Sequence, residues 1–159
     1  MGIRRVEKID RLVPVRNALI SVFDKTGLDE LVPGLIEACP KLTIFSTGGT
    51  YKKLMEILGK DQEQVVDVSR YTGVPETEGG LVKTIHHKIG LGYLTETYCE
   101  AHQRDLARED AVPIDLVVWN LYPFRKAATE QYADHEDARG HMDVGGILAL
   151  RACAKNWHR

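Results

Sequence analysis

The sequence predicts an α/β protein in which a parallel β-sheet is flanked by helices. Two observations carry this prediction: short apolar runs of strand length recur along the chain, and amphipathic stretches with helical spacing separate them. This alternation is typical of parallel sheets, because parallel neighbours need a crossover connection that is usually a helix. With 159 residues, the chain is long enough for one domain with its own core.

Four apolar runs supply the predicted strands, and each is followed by a polar or glycine-rich segment. The runs are "NALISVF" at 17–23, "KLTIFS" at 41–46, "QVVDVS" at 64–69 and "IDLVVWNL" at 114–121. The segments that follow contain "DKTG", "STGGT", a long loop and "NLYPF". Open parallel sheets bind ligands beyond the carboxyl ends of their strands, so these segments predict one ligand cleft.

Helices are predicted between and after the strands. They are expected near Leu28–Cys39, over Tyr51–Leu58, over Thr95–Glu109, and along "DVGGILALRACAKNWH" with Asp143 as its cap. Residues 70–92 are predicted to be a long irregular loop, because Gly and Pro recur in "RYTGVPETEGGLVKTIHHKIGLG". A charged, flexible segment is predicted over Arg125–His141.

Composition and charge argue against several classes of protein. The net charge is −2 and the sequence has no apolar run of the roughly eighteen residues that a membrane span needs, so neither nucleic acid nor membrane is an expected partner. The local exception is a basic leader at residues 1–16, for which a solvated segment is favoured over RNA binding. Three widely spaced cysteines without a CxxC pair, and a basic start with no apolar stretch behind it, predict a reduced cytoplasmic protein.

The turn "STGGT" at residues 46–50 has two interpretations. Convergent backbone N–H groups, a helix N-terminus and hydroxyl side chains together suit a phosphate. The simpler explanation is a threonine N-cap before an amphipathic helix. The turn matches neither the Walker loop nor GxGxxG. Its position at the carboxyl end of a predicted strand favours the phosphate site.

A few other residues are candidates for ligand binding or catalysis. Lys25 suits phosphate binding, with an exposed surface charge as the alternative, and Tyr122 is either a core aromatic or a cleft residue. Asp143 is either the N-cap of the last helix or a catalytic carboxylate, and Gly145 and Gly146 allow close approach to the backbone. Lysine, tyrosine and aspartate suit acid–base chemistry and oxyanion stabilisation. The histidines show no zinc spacing, so neither a metal nor a redox cofactor is predicted.

Five ordered motifs resemble the inosine monophosphate (IMP) cyclohydrolase domain family, the N-terminal part of the bifunctional purine-biosynthesis enzyme PurH. They are "ALISVFDKTG", "STGGT", "YTGVPETEGGLVKTIHHK", "IDLVVWNLYPF" and "DVGGILALRACAKN", which together extend over residues 18–156. The resemblance implies a methylglyoxal-synthase-like three-layer fold, a homodimer and no cofactor. The implied reaction closes the ring of 5-formamidoimidazole-4-carboxamide ribonucleotide (FAICAR) to IMP with loss of water.

The resemblance also implies which residues act, motif by motif. The implied catalytic residues are Lys83, Tyr122, Asp143 and Lys155. The implied substrate-binding residues are Lys25, Thr47, Gly48, Gly49, Thr50, Thr84, Asn120, Gly145 and Gly146. Lys83 would stabilise or protonate the formyl oxygen, whereas Asp143 and Lys155 would handle the carboxamide nitrogen and its proton. The nucleotide phosphate would lie near Lys25 and the glycine turn.

Some positions depart from the family pattern, mostly on the implied phosphate side. Leu81 stands where the family usually has arginine, and Phe23 replaces a small serine; Arg70 and His87 are candidates for a compensating cation. These departures keep a second hypothesis open, a non-catalytic module that binds a phosphorylated metabolite. A third, methylglyoxal synthase, shares the fold but is disfavoured by "VKT", "NLYPF" and "AKN".

The predicted organisation is the leader at 1–16 and an IMP-cyclohydrolase-like domain at 17–159. The sequence contains no recognisable formyltransferase domain, so a separate formyltransferase is an expected partner beside the nucleotide substrate. Because the family domain normally continues past "AKN", the alternatives for the end of the chain are a C-terminal truncation and a disordered tail. The predicted protein is thus either a stand-alone cytoplasmic enzyme or a fragment of a longer one.

Overall fold

Among the residues that the computed structural model describes, 5–59, 62–129 and 134–159, four strands form one parallel sheet. The strands are β1 (Asn17–Val22), β2 (Thr43–Ser46), β3 (Val65–Asp67) and β4 (Leu116–Asn120), in the spatial order β3-β2-β1-β4. Asn17 of β1 pairs with Thr43 of β2, and Ala18 of β1 with Leu116 of β4. Because all pairs are parallel, the carboxyl ends of the strands meet at one edge.

Helices cover both faces of this sheet. They are α1 (Leu28–Ala38), α2 (Gly48–Leu58), α3 (Val68–Thr72), α4 (His87–Leu94), α5 (Glu100–Arg108), α6 (Phe124–Thr129), α7 (His135–Gly140) and α8 (Val144–Lys155), with a 3-10 turn at Glu78–Gly80. None of the helices in the described chain is long and apolar enough to cross a membrane.

Two apolar cores lie on opposite faces of the sheet, because successive side chains of a strand point in opposite directions. Ala18 and Ile20 of β1 pack with residues of α1 and α2. Leu19, between them, packs with residues of α3, α4 and α8. These three residues of β1 are fully buried, as expected for a central parallel strand covered by helices on both faces. The fold is therefore the predicted three-layer α/β architecture, a parallel sheet flanked by helices.

Several predicted element boundaries are wrong, among them that of the strand at 64–69, whose last two residues belong to α3. Helix α2 begins at Gly48 rather than at Tyr51, so the glycine turn is the first turn of the helix itself. Helix α5 covers Glu100–Arg108, shorter than the predicted Thr95–Glu109. The residues that precede α5 form a turn in which the Nδ1 atom of His102 accepts the backbone N–H of Glu96 at 3.1 Å.

Two segments predicted to be irregular contain helices. Residues 70–92 include the end of α3, the 3-10 turn and most of α4. Helix α4 forms despite its glycines because Ile89 and Tyr93 are buried in the second core. The charged segment Arg125–His141 contains most of α6 and all of α7, and its residues 130–133 lie outside the described residues.

The described part of the leader, residues 5–16, forms neither helix nor strand. It contacts the body at Tyr98, whose hydroxyl donates to the Asp10 carboxylate at 2.7 Å. The Lys8 ammonium lies 3.9 Å from the centre of the Tyr98 ring. Residues 1–4 of the predicted leader lie outside the described residues.

Candidate active site

A cleft of about 310 Å³ opens at the carboxyl edge of the sheet. It lies between the β1–α1 loop, the first turn of α2, the loop before α4, the end of β4 and the start of α8. The predicted site residues that line it are Lys25, Thr47, Gly48, Gly49, Thr50, Lys83, Thr84, Asn120, Tyr122, Asp143 and Gly145. Most of the predicted site therefore converges on one cavity.

The N-terminus of α2 forms one side of the cleft. Thr47 is its N-cap residue but makes no side-chain cap bond, and Gly48 has a φ of +49°, which favours glycine. The Thr50 hydroxyl accepts the backbone N–H of Val22 at 3.1 Å and donates to the carbonyl of Val22 at 3.0 Å. The backbone N–H groups of this turn, which have no partner within the helix, are therefore better placed to bind an anion than the Thr50 hydroxyl.

Two lysines belong to the described lining of the cleft, and both approach α2. Lys25 donates from Nζ to the carbonyl of Phe23 at 3.0 Å, and its Cε lies 3.6 Å from where a Cβ would stand on Gly49. Lys83 places Nζ 2.9 Å from where a Cβ would stand on Gly48. An anion at this turn would be attracted by both ammonium groups and by the partial positive charge of the helix end.

Asp143 is the N-cap of α8, which confirms one of its two interpretations. Its Oδ1 accepts the backbone N–H of Gly146 at 2.7 Å, and its Oδ2 accepts the indole N–H of Trp119 at 3.2 Å. The same carboxylate lines the cleft, so the cap is compatible with a catalytic role, which stays a prediction. Gly145 faces Thr84, whose Oγ1 lies 2.8 Å from where a Cβ would stand.

Asn120, the last residue of β4, and Tyr122, two residues beyond it, form another side of the cleft. Tyr122 is about half exposed, and its ring meets that of Phe23 edge to face with the centroids 5.5 Å apart. The Asn120 Oδ1 accepts the backbone N–H groups of Phe23 at 2.6 Å and of Asp24 at 3.0 Å. Its Nδ2 donates to the carbonyl of Asp24 at 2.7 Å. Asn120 therefore holds the β1–α1 loop in place, whether or not it also contacts a substrate.

The "DKTG" loop beside the cleft is closed by hydrogen bonds within the loop. The Asp24 carboxylate accepts the backbone N–H of Thr26 at 2.9 Å and its hydroxyl at 2.7 Å. These bonds lower the pKa of Asp24 because they favour its charged form, and the bond from the backbone N–H of Thr26 has the largest effect. The loop that carries Lys25 is thus held by the bonds of Asn120 and by those between Asp24 and Thr26.

Two predicted site residues lie outside the lining of the cleft. Gly146 is buried beneath it, where a Cβ would overlap the Trp119 indole nitrogen. Lys155 is exposed at the last position of α8, whose first turn borders the cleft. The length of that helix separates the two ends by about 16 Å. Within one chain, Lys155 does not join Lys83, Tyr122 and Asp143, and its role stays a prediction.

Sequence reasoning missed Trp119, which both lines the cleft and bonds to Asp143. Its place in the apolar run "LVVWN" indicated only a core residue, although the next residue begins the "NLYPF" motif. The departures Leu81 and Phe23 do line the cleft. Neither Arg70 nor His87 belongs to its described lining, and His87 instead places Nε2 3.3 Å from Oε2 of Glu109.

One group of possible metal ligands occurs in the described chain, formed by Glu96, Cys99 and His102. It lies before and in the first turn of α5, outside the cleft. The Nδ1 atom of His102 already accepts a backbone N–H, so the neutral ring carries its hydrogen on Nε2 and lacks a free lone pair there. His102 thus has a structural role in this turn, and the expectation of no metal stays a prediction.

The fold and the cleft together define a class: a three-layer α/β protein with an anion-favouring cleft at the carboxyl edge of a parallel sheet. No family model matches the chain. The chain is 43% identical over 145 residues to the bifunctional purine biosynthesis protein PurH of Rhodopirellula baltica, covering 91% of this chain and 27% of that protein. It is 41% identical over 143 residues to PurH of Cutibacterium acnes, covering 90% and 26%. The chain thus spans about a quarter of the length of these curated relatives.

A solved structure, the crystal structure of ForH, superimposes with a TM-score of 0.68 at 31% sequence identity. The match covers 90% of this chain and 70% of that one. The chain belongs to the PurH family, as a relative of its methylglyoxal-synthase-like domain.

Proposed function

We propose that the chain is an IMP cyclohydrolase, which converts FAICAR to IMP with loss of water. The observation that supports this proposal is the convergence of Lys83, Thr84, Tyr122 and Asp143 on one cleft. The PurH relatives are purine-biosynthesis proteins, which is consistent with such a substrate. Because the chain matches about a quarter of those proteins, the activity is proposed from the cleft and not taken from their name.

In the proposed reaction, the carboxamide nitrogen of FAICAR attacks the formyl carbon and forms the new ring bond. The formyl oxygen becomes a tetrahedral oxyanion, then takes one proton from the attacking nitrogen and one from the formamide nitrogen, and leaves as water. An ammonium group beside this oxygen stabilises the developing charge. Lys83 supplies that group, while Tyr122 and Asp143 are the proton carriers of the cleft.

The phosphate of the substrate is proposed to bind at the first turn of α2. Backbone N–H groups of Gly48 and Gly49, the helix dipole and the Lys25 ammonium favour a dianion there. With the phosphate at this end of the cleft, Tyr122 and Asp143 are available to the imidazole carboxamide part of the substrate.

Lys155 acts in this proposal only if a second copy of the chain is present, because the length of α8 separates it from its own cleft. A homodimer is therefore part of the proposal. Ile147 and Leu150, half-exposed apolar residues of α8, are available for such a contact. A cytoplasmic location and a separate formyltransferase that supplies FAICAR complete it.

A second candidate function, a non-catalytic module that binds a phosphorylated metabolite, is favoured by one observation. Leu81 and Phe23 add apolar surface to the cleft, where the family pattern has arginine and serine. A module of this kind would bind IMP but would not turn over FAICAR.

The test is turnover of FAICAR by the purified protein, with IMP identified as the product. Replacing Lys83 by Ala should lower kcat by about a hundredfold or more, the loss typical of one oxyanion-stabilising group. Lys52→Ala is the matched control, because Lys52 is exposed on α2 and outside the described lining of the cleft. IMP binding without turnover would select the non-catalytic module, and equal activity of the Lys83 variant would remove Lys83 from the mechanism.

A further inference from the structure

The Lys83 side chain follows a path that two glycines leave open. A Cβ on Gly80 would overlap the Lys83 Cε, and Gly80 has a φ of +66°, which itself favours glycine. A Cβ on Gly48 would stand 2.9 Å from the Lys83 Nζ, closer than ordinary contact. The ammonium group therefore lies directly beside the N-terminus of α2.

That location is electrostatically unfavourable for a cation. The helix end carries a partial positive charge, and the Lys25 ammonium stands beside the next residue, Gly49. Both repel the Lys83 ammonium at short range. An acidic group must offset this repulsion if Lys83 is to stay at the cleft when no anion is bound.

Glu76 is the acidic group in contact with Lys83. Its Oε1 lies 3.1 Å from the Lys83 Nζ. Glu76 does not line the cleft but lines a neighbouring cavity of about 230 Å³, and Lys83 and Thr47 line both cavities. The Glu76 carboxylate thus contacts Lys83 from the neighbouring cavity.

We infer that Glu76 is a positioning residue that holds the Lys83 ammonium at the cleft, an inference that rests on the proposed cyclohydrolase function. Without the carboxylate, repulsion from α2 and Lys25 turns the Lys83 side chain toward solvent. The pair is partly exposed on both sides, with 29% of Lys83 and 43% of Glu76 accessible. Partly exposed pairs contribute little to stability, so loss of Glu76 should alter the position of Lys83 rather than folding.

The first measurement is steady-state turnover of FAICAR by Glu76→Gln, which keeps the size of the side chain and removes its charge. We expect kcat to fall about tenfold or more while KM stays within about threefold, because a misplaced catalytic group affects the transition state most. Glu76→Asp, which keeps the charge, should recover part of the loss. Glu78→Gln is the matched control, because Glu78 is exposed in the same loop and lines neither cavity.

The second measurement needs no turnover. Lysine amines are converted to ¹³C-dimethylamines, which keep their positive charge and give one NMR signal each, and Lys83→Met identifies the signal of Lys83. In Glu76→Gln this signal should move to the position of exposed lysines, whereas the Lys25 signal and the spectrum of Glu78→Gln should not change.

An unchanged Lys83 signal in Glu76→Gln overturns the inference, and so does a kcat within about twofold of the wild type. If the wild type itself lacks turnover, the proposed function fails, and the Lys83 signal alone decides the role of Glu76. Coincident urea unfolding curves for the wild type and Glu76→Gln separate positioning from a loss of fold.

Discussion

Leu81 illustrates how much one side chain changes the charge of the cleft. It is 76% exposed at the cleft's edge, beside the loop that carries Lys83. An aliphatic side chain offers no hydrogen bond to a phosphate, whereas a guanidinium offers two parallel ones. The turn of α2 and Lys25, to which the phosphate is proposed to bind, must therefore hold an anion without further help from this position.

Replacing Leu81 by Arg should tighten the binding of IMP. A charge-assisted hydrogen bond contributes about 1.5–3 kcal/mol, which corresponds to a decrease in Kd of about tenfold to a hundredfold. Calorimetric titration with IMP at two salt concentrations measures the gain and its electrostatic part. Leu81→Gln is the control for added length without charge. An unchanged Kd for the Arg variant would mean that the phosphate lies elsewhere or is already saturated with cations.

At the scale of single elements, helix α8 is fixed at both ends. Asp143 caps its first turn and is itself bonded to Trp119 of β4. At the other end, the buried Asn156 donates from Nδ2 to the carbonyls of Tyr93 at 2.8 Å and Thr95 at 3.1 Å. The helix is therefore held against both the sheet and α4, which explains why the "AKN" segment ends in an asparagine.

Gly146 decides how closely α8 approaches the sheet. A Cβ there would stand 2.6 Å from Asp143 Oδ2 and 2.6 Å from Leu121 Cδ2. Gly146→Ala should therefore lower the free energy of unfolding by about 1–3 kcal/mol, although alanine is the better helix former. Gly90→Ala, in α4 with nothing within 4 Å of its Cβ position, should be neutral or stabilising. Urea unfolding of both variants makes the comparison, and equal stability of the two would contradict the close approach.

At the scale of the whole molecule, one buried ion pair ties distant segments together at the amino edge of the sheet. The Asp115 Oδ1 lies 3.2 Å from Nη2 of Arg159, and the two side chains are 5% and 8% exposed. The other carboxylate oxygen accepts the backbone N–H groups of Arg16 at 2.9 Å and Asn17 at 3.0 Å. The Arg159 Nη1 also donates to Thr97 Oγ1 at 2.9 Å.

Asp115→Asn should destabilise the whole fold, because it leaves the buried Arg159 guanidinium without its counter-charge. Removing one partner of a buried pair typically costs about 3–5 kcal/mol. The midpoint of urea unfolding measures this loss, with the exposed Asp29→Asn on α1 as the control. A loss below about 1 kcal/mol would place the pair among ordinary surface ion pairs.

How far the sequence predicts the molecule depends on the range of the interactions involved. The central strand was predictable because Ala18, Leu19 and Ile20 form an apolar run of strand length. Helix α4 was not, because Gly90 and Gly92 lower its helix propensity and only packing offsets the loss. The Gly92 backbone in fact approaches the carbonyl of Val112, which would stand 2.8 Å from a Cβ.

The residues of the candidate site also differ in how far the sequence predicts them. The family resemblance implied Lys83 and Asp143 by their motifs, and both line the cleft. The partners Glu76 and Trp119 were not singled out, because each contact depends on how a loop or strand meets another element in three dimensions. Leu81 was recognised as a departure, but its exposure at the cleft needed the structure.

The hydrogen bond between Trp119 and Asp143 gives the protein an optical property. The sequence contains two tryptophans, of which Trp119 lines the cleft and Trp157 is 72% exposed. Indole emission responds to the polarity and hydrogen bonding of its surroundings, so a molecule that enters the cleft or draws Asp143 away alters the fluorescence of Trp119. Replacing Trp157 by Phe would remove the fluorescence of the exposed tryptophan. The intrinsic fluorescence of Trp119 then reports the occupancy of the cleft, without any attached dye.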